Sequence, residues 1–295
     1  MKIKDYSLVF AGISLCATLM LGSCAKDTLY NTPHPDKGAV VVSTDWSGRS
    51  LEAIKPTEYI LRMGEEEQTV NADVNTFKSL LAPGTQKLLV YHQADGITIN
   101  GTIATVNTLE DGSLNPMPGY LFSAYKEIVI PTDDTLHVAM PMKQHIRQLR
   151  LMLELKEGDE QIIAGTSAKV TGIAPSVDLT TGEINATNGK TVNPVFTIST
   201  NAPKNRAAGV PTLAATMRLF GLIQAEKQEL TIVVTLANGT VQTITTDLTS
   251  HLDGFGSGEL EPLVLDATLS LPPEVGVTAT ISDWNIVNNG DISIN

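Results

Sequence analysis

From Gly38 onward the chain is a succession of short apolar runs separated by turn-forming pairs. Val40 to Trp46 is a β-branched and aromatic run, Thr57 to Met63 is a second, and Lys87 to His92 a third, each of strand rather than helix length. Asp95-Gly96, Asn100-Gly101, Asp111-Gly112, Asn188-Gly189, Asn238-Gly239 and Asn289-Gly290 punctuate the sequence, and such pairs supply the positive φ that tight hairpin turns need. The plainest hairpin runs from Leu230 to Leu236, through Ala237-Asn238-Gly239, and back from Thr240 to Thr246. Ile146 to Leu155 reads as a long strand that places Leu149, Leu151, Leu153 and Leu155 on one face and Arg150, Met152 and Glu154 on the other. Helix signals are sparse. Asn75 is placed to cap a short turn that packs Phe77, Leu80 and Leu81 before Pro83-Gly84, and Tyr120 to Lys126 fits either a strand or a helical turn. No heptads and no fixed-period repeat are present, so the pattern predicts an all-β protein with little helix.

The N-terminus follows a different rule. Lys2 and Lys4 precede an apolar run from Tyr6 to Leu21 that is too short and too rich in small residues for a membrane span, and it ends in Leu21-Gly22-Ser23-Cys24. This is the pattern of a bacterial lipoprotein signal, in which small Gly22 and Ser23 admit a peptidase and Cys24 becomes the lipidated first residue. Several acyl chains on one residue hold a bilayer far better than one, because each buried methylene contributes about 0.8 kcal/mol. Cleavage between Ser23 and Cys24 leaves 272 of the 295 residues and discards Cys16. No thiol then remains for a disulfide, a zinc site or a nucleophile. Residues 25–37 hold two prolines without an apolar period and read as a tether of up to about 3.3 Å per residue.

The mature length is large for one β-sandwich and suits two of roughly 120 to 130 residues. The expected organisation is a signal peptide over 1–23, a lipidated tether over 24–37, and sandwiches over 38–140 and 141–295, the second opening with the Ile146 to Leu155 strand. The whole chain carries 20 basic and 32 acidic side chains, a net charge of −12. Removal of Lys2, Lys4 and Asp5 takes it to −13. Such a surface repels a phosphate backbone, so nucleic acid is excluded as the expected partner.

Little in the sequence nominates chemistry. His34, His92, His137, His145 and His251 include no pair at i, i+2 or i, i+4, so no metal site is expected. Glu65-Glu66-Glu67 and Asp133-Asp134 lack the alternating ligand pattern of a calcium loop and read as solvated turns. Ser123-Ala124-Tyr125-Lys126 matches the Ser-x-x-Lys element of some acyl-transfer enzymes, without the accompanying Ser-Asp-Asn and Lys-Thr-Gly. Gly254-Phe255-Gly256-Ser257-Gly258 lacks the Lys-Ser/Thr of a phosphate loop, and the segment after it, Glu259 to Leu269, reads as a strand. It is taken as a flexible loop.

Several segments together resemble the FimB-type fimbrial anchor family of Bacteroidales. They are the lipobox at Cys24, the strand Gly38 to Trp46, the Leu80-Leu-Ala-Pro-Gly84 turn leading into Leu88 to Tyr91, and the domain start Ile146 to Leu155. Ile281-Ser-Asp-Trp-Asn285 with Asn288 to Ile292 is similar to the closing segment of related fimbrillins. Thr85-Gln86 departs from the family pattern, which has an aromatic after the Pro-Gly. The resemblance implies two tandem transthyretin-like sandwiches, a lipid attachment to the outer membrane, no catalysis and no cofactor, and fimbrial shaft subunits as partners. Related shaft subunits lose a strand by proteolysis after arginine and accept a neighbour's strand in its place. An anchor cut after Arg49 would lose Cys24, so the Arg49–Ser50 bond is expected to stay intact. Gly38 to Trp46 and Val275 to Asn295 are the candidate edge elements for strand pairing.

Two other readings compete. A surface glycan-binding lipoprotein would display Trp46, Trp284 or Tyr91 as flat platforms, although both tryptophans end alternating runs and suit a core. A glycosidase would need two carboxyl groups about 5 to 9.5 Å apart in a cleft.

Overall fold

The computed structural model describes residues 36–199, 210–272 and 278–287. The chain divides into Met1–Asp36 and a compact unit from Lys37 onward. Within the described residues the structure is all-β, with one four-residue helix, α1 (Asp159–Ile162).

Two sheets share a first apolar core. In one, β10 (Lys143–Gln144), β8 (Phe122–Ile130), β5 (Gly84–Tyr91), β2 (Tyr59–Met63) and β3 (Glu66–Val70) follow each other in antiparallel order. In the other, β1 (Ala39–Asp45) lies between β4 (Val74–Thr76) and β9 (Thr135–Pro141), antiparallel to the first and parallel to the second. The period-two alternation of β1 turns Val40 and Val42 inward, where they meet Leu61, Leu88, Phe122, Ile130 and Met140.

The second core is larger. Its six-stranded sheet runs β15 (Thr197–Ser199), β16 (Thr212–Leu219), β11 (Arg147–Leu155), β19 (Leu263–Ser270) and β20 (Thr280–Ile281), with β21 (Asn285–Val287) also pairing β19. A four-stranded sheet of β14 (Lys190–Val192), β12 (Ile163–Ile173), β17 (Glu229–Leu236) and β18 (Val241–Asp247) contributes to the same core. A small sheet of β13 (Ser176–Asp178), β7 (Ile103–Val106) and β6 (Ile97–Asn100) adds Ile97, Ala104, Val106 and Val177 to it. The β6–β7 hairpin thus leaves the strands around it in sequence and packs with the later half of the chain.

The expected strands form near their expected limits. Leu149, Leu151, Leu153 and Leu155 are buried while Arg150, Met152 and Glu154 are half-exposed. The β17–β18 hairpin turns at Asn238-Gly239, where Gly239 has φ 83° and the Leu236 N–H donates to the Thr240 carbonyl at 2.8 Å. The one helical turn expected, capped by Asn75, does not form. Asn75 lies in β4, and its Nδ2 donates to the Tyr59 hydroxyl at 2.8 Å, so the side chain that suits a helix cap instead ties one sheet to the other. Leu80 points to solvent and Leu81 bridges Gly38. Of Tyr120 to Lys126, the part from Phe122 onward is strand, because Ser123 to Ile130 of β8 pair with β5. The Gly254–Gly258 loop does not hang free: Phe255 is buried in the second core with the Arg147 guanidinium 5.2 Å from its ring centre.

Candidate functional site

The first strand and the loop after it are tied to distant parts of the chain by backbone and side-chain bonds. β1 is not an edge, contrary to the expectation for Gly38 to Trp46. Its whole length pairs β9, from Ala39 with Thr135 to Asp45 with Pro141, and its middle pairs β4. Trp46 follows at once, in T-shaped contact with Tyr59 at 5.5 Å and with Phe122 at 5.6 Å. A hydrogen-bond relay consumes the polar groups beneath it. The Trp46 indole N–H donates to Thr44 Oγ1 at 2.9 Å, Thr44 Oγ1 lies 3.1 Å from the Tyr59 hydroxyl, and that hydroxyl donates to the Ala72 carbonyl. Burial raises the Tyr59 pKa above its ordinary value, and the nearby Asp73 charge adds to the rise.

The loop from Ser47 to Pro56 is stapled to later strands. Ser50 is 1% exposed, and its N–H and hydroxyl both meet Gln144 Oε1, at 2.9 and 3.2 Å. Gln144 is itself held by its Nε2 donating to the Ile146 carbonyl at 2.7 Å. The Leu51 N–H reaches Glu261 Oε1 at 3.2 Å, and Glu52 takes a bond from Gln148 Nε2 at 2.8 Å and an ion pair from Arg150. Arg49 turns back to the Ala53 carbonyl at 3.0 Å. Between these ties Leu51 is 91% and Ile54 84% exposed, an apolar pair held out to solvent by a loop that is otherwise fastened down.

At the other end of the chain the described part of Val275 to Asn295 does lie at a sheet edge. β20 and β21 cover the side of β19 away from β11, and between them the Ser282 hydroxyl accepts the Thr268 N–H at 2.8 Å in place of a ladder carbonyl. Trp284 is buried and its indole N–H donates to Thr246 Oγ1 at 3.2 Å. Ser23 and Cys24, the expected cleavage and lipidation residues, and His34 lie outside the described residues.

The other sequence candidates are dispersed. Trp46, Trp284 and Tyr91 are all buried, so none presents a flat face. Glu65 lies in the β2–β3 turn and Glu66-Glu67 open β3, all three exposed, and Asp133-Asp134 form the turn between β8 and β9. Among the described residues no group of three or more His, Cys, Asp or Glu side chains could hold a metal ion. Ser123 and Lys126 lie three apart on a strand and so project to opposite faces. Ser123 does meet a histidine, which sequence spacing gave no means to find: its Oγ lies 2.7 Å from His145 Nε2 and donates to the Leu179 carbonyl at 3.0 Å. A carbonyl can only accept, so the single hydroxyl hydrogen goes to Leu179 and His145 Nε2 carries the proton of its own bond. That tautomer cannot take a proton from Ser123, and the pair is a buried structural link. Burial, helped by the Lys143 charge, lowers the His145 pKa to about 3.

The family model for fimbrillin-A associated anchor proteins Mfa1 and Mfa2 matches residues 41–290. The chain belongs to this anchor family. No curated protein sequence matches it. Among solved structures, the fimbrial anchor protein Mfa2 from Porphyromonas gingivalis is similar with a TM-score of 0.57 at 8% identity, covering 85% of this chain and 97% of that one. A candidate adhesin from Bacteroides ovatus has a TM-score of 0.58 at 13% identity, covering 80% and 90%. A candidate polysaccharide-binding protein from Bacteroides thetaiotaomicron has a TM-score of 0.56 at 9% identity, covering 86% and 99%. At these identities the likeness is one of fold. The family is one of fimbrial anchor proteins, and the described residues of this chain are all-β.

Proposed function

We propose that this anchor-family member is the lipid-anchored base subunit of a fimbria. Cleavage after Ser23 leaves Cys24 to carry acyl chains in the outer membrane, residues 24–37 tether the body, and the body meets fimbrial shaft subunits by strand pairing. We read the body as two tandem transthyretin-like sandwiches, 38–140 and 141–295, with the β6–β7 hairpin lent by the first to the core of the second. A repeated arrangement supports this. β1 has an antiparallel neighbour, β4, and a parallel one, β9; β11 likewise has antiparallel β16 and parallel β19.

The protected Arg49–Ser50 bond carries the proposal. A protease must draw several residues around its target into an extended form, and here the amide N–H of that bond is hydrogen-bonded to Gln144 and Ser50 is buried. A subunit whose task is to stay attached needs this link between Cys24 and the body to survive. Mass spectrometry of the protein in assembled fimbriae tests it: the reading expects an acylated N-terminal Cys24, and a form starting at Ser50 would overturn it. In this reading the shaft meets the β20–β21 edge, whose outer side has no strand partner among the described residues, and the exposed Leu51 and Ile54.

A further inference from the structure

A cleft of about 420 Å³ lies along the border of the two cores, and neither Leu51 nor Ile54 lines it. Its walls come from β8 (Ser123 to Lys126), the end of β9, Lys143 of β10, and the turn Leu179 to Gly182 after β13. Beyond Ser123, the edge of β8 turned away from β5 has no strand partner among the described residues.

The charges in this cleft are opposite to those of the molecule. The chain has 32 acidic against 20 basic side chains, yet the lining contains two lysines, Lys126 and Lys143, and no aspartate or glutamate. Neither lysine has an ion-pair partner among the described residues, whereas Lys55, Arg62, Arg150 and Lys227 each have one. Two carboxylates that adjoin the lining in sequence are engaged elsewhere. Asp178 is occupied by the N–H and hydroxyl of Thr180, at 2.7 and 2.6 Å. Glu127 lies on the opposite face of β8 from Lys126 and takes a bond from the Tyr125 hydroxyl.

The Lys143 ammonium lies against the turn at Gly182, whose φ of 74° favours glycine and where a Cβ would meet the Lys143 Nζ. Next to it the Thr181 Oγ1 accepts the Glu183 N–H at 3.1 Å, which leaves its hydroxyl hydrogen to donate. Two unpaired ammonium groups, a free hydroxyl donor and an unpaired strand edge in a concave site are complementary to a compact anion. The low His145 pKa, to which the Lys143 charge contributes, agrees with a positive field at the cleft floor.

We propose that this cleft binds an oxyanion group (carboxylate, sulfate or phosphate) that Lys126 and Lys143 grip together, independently of the anchoring role. Surrounding acidic surface repels anions elsewhere, which confines binding to this site.

The test is titration of the full chain, in non-ionic detergent at low ionic strength, with sodium sulfate, sodium phosphate and a galacturonate trisaccharide, with maltotriose as the uncharged control. The proposal expects saturable binding of at least one anion and none of maltotriose. It expects a loss of roughly tenfold or more in affinity in the Lys126→Gln/Lys143→Gln double variant, and no change in Lys169→Gln. Tighter binding of sulfate or phosphate assigns a free inorganic anion, and tighter binding of the trisaccharide assigns an acidic sugar. Amide shifts at Thr180 to Gly182 in the unsubstituted protein give an independent reading should the double variant fail to fold. Absence of binding by all three anions, affinity indifferent to the two lysines, or shifts confined to other residues would overturn it.

Discussion

The backbone N–H of Ser50 donates to Oε1 of Gln144 at 2.9 Å, across 94 residues of sequence. This bond fastens the loop after the first strand to the segment that joins the two cores. It also occupies the amide nitrogen through which a trypsin-like protease would release the N-terminus.

Replacing Gln144 with alanine removes the acceptor for two Ser50 donors and leaves them buried. An unsatisfied buried donor costs about 1–3 kcal/mol, so Gln144→Ala should lower stability by that order in urea unfolding. Limited trypsin digestion with N-terminal sequencing should show the wild-type chain resisting the cut after Arg49 and the variant yielding a fragment that starts at Ser50. Equal resistance in both would mean that Gln144 does not protect the bond.

Apolar residues of similar chemistry should behave in opposite ways according to where the fold puts them. Leu151 is wholly buried on the core face of β11, and Leu151→Ala should cost roughly 2–5 kcal/mol. Leu51 and Ile54 are exposed, so Leu51→Ser with Ile54→Ser should change stability by no more than about 0.5 kcal/mol each while weakening co-purification with fibres. Thermal melts and pull-down of fibres on the same samples separate the two effects.

His145 gives a pH prediction. Its pKa falls from 6.5 to about 3 on folding, chiefly through burial and then through Lys143. Between those values the unfolded chain binds the proton and the folded chain does not. This stability is therefore fully present above pH 6.5 and is lost as pH falls toward 3, by on the order of 5 kcal/mol in total. Chemical denaturation across that window should show a shallower loss in His145→Gln than in the wild type. Lys143→Gln should raise the His145 pKa in an NMR titration.

The strands were legible where the information is local. The β17–β18 hairpin follows from alternation and one Asn-Gly pair, and β11 from its leucines at every second position. What was illegible depends on distant partners. Nothing in Val40 to Trp46 announces that Ala39 pairs in parallel with Thr135, which turns a supposed edge into a central strand. Asn75 reads as a helix cap because its side chain suits either role, and only Tyr59 beside it decides. Nothing in the sequence marks Leu51 and Ile54 as exposed, and the bonds from Ser50 and Glu52 to later strands fasten the loop that holds them outside. The cleft with Lys126 and Lys143 is equally hidden, since its walls come from segments up to 59 residues apart.

Deleting the gene and measuring how fibres divide between cells and culture medium tests the anchoring role most directly. The account predicts that fibres still assemble and are shed into the medium, with attachment restored by the wild-type gene and not by a Cys24→Ala form. Fibres that remain on the cell surface at wild-type levels without this protein would contradict it.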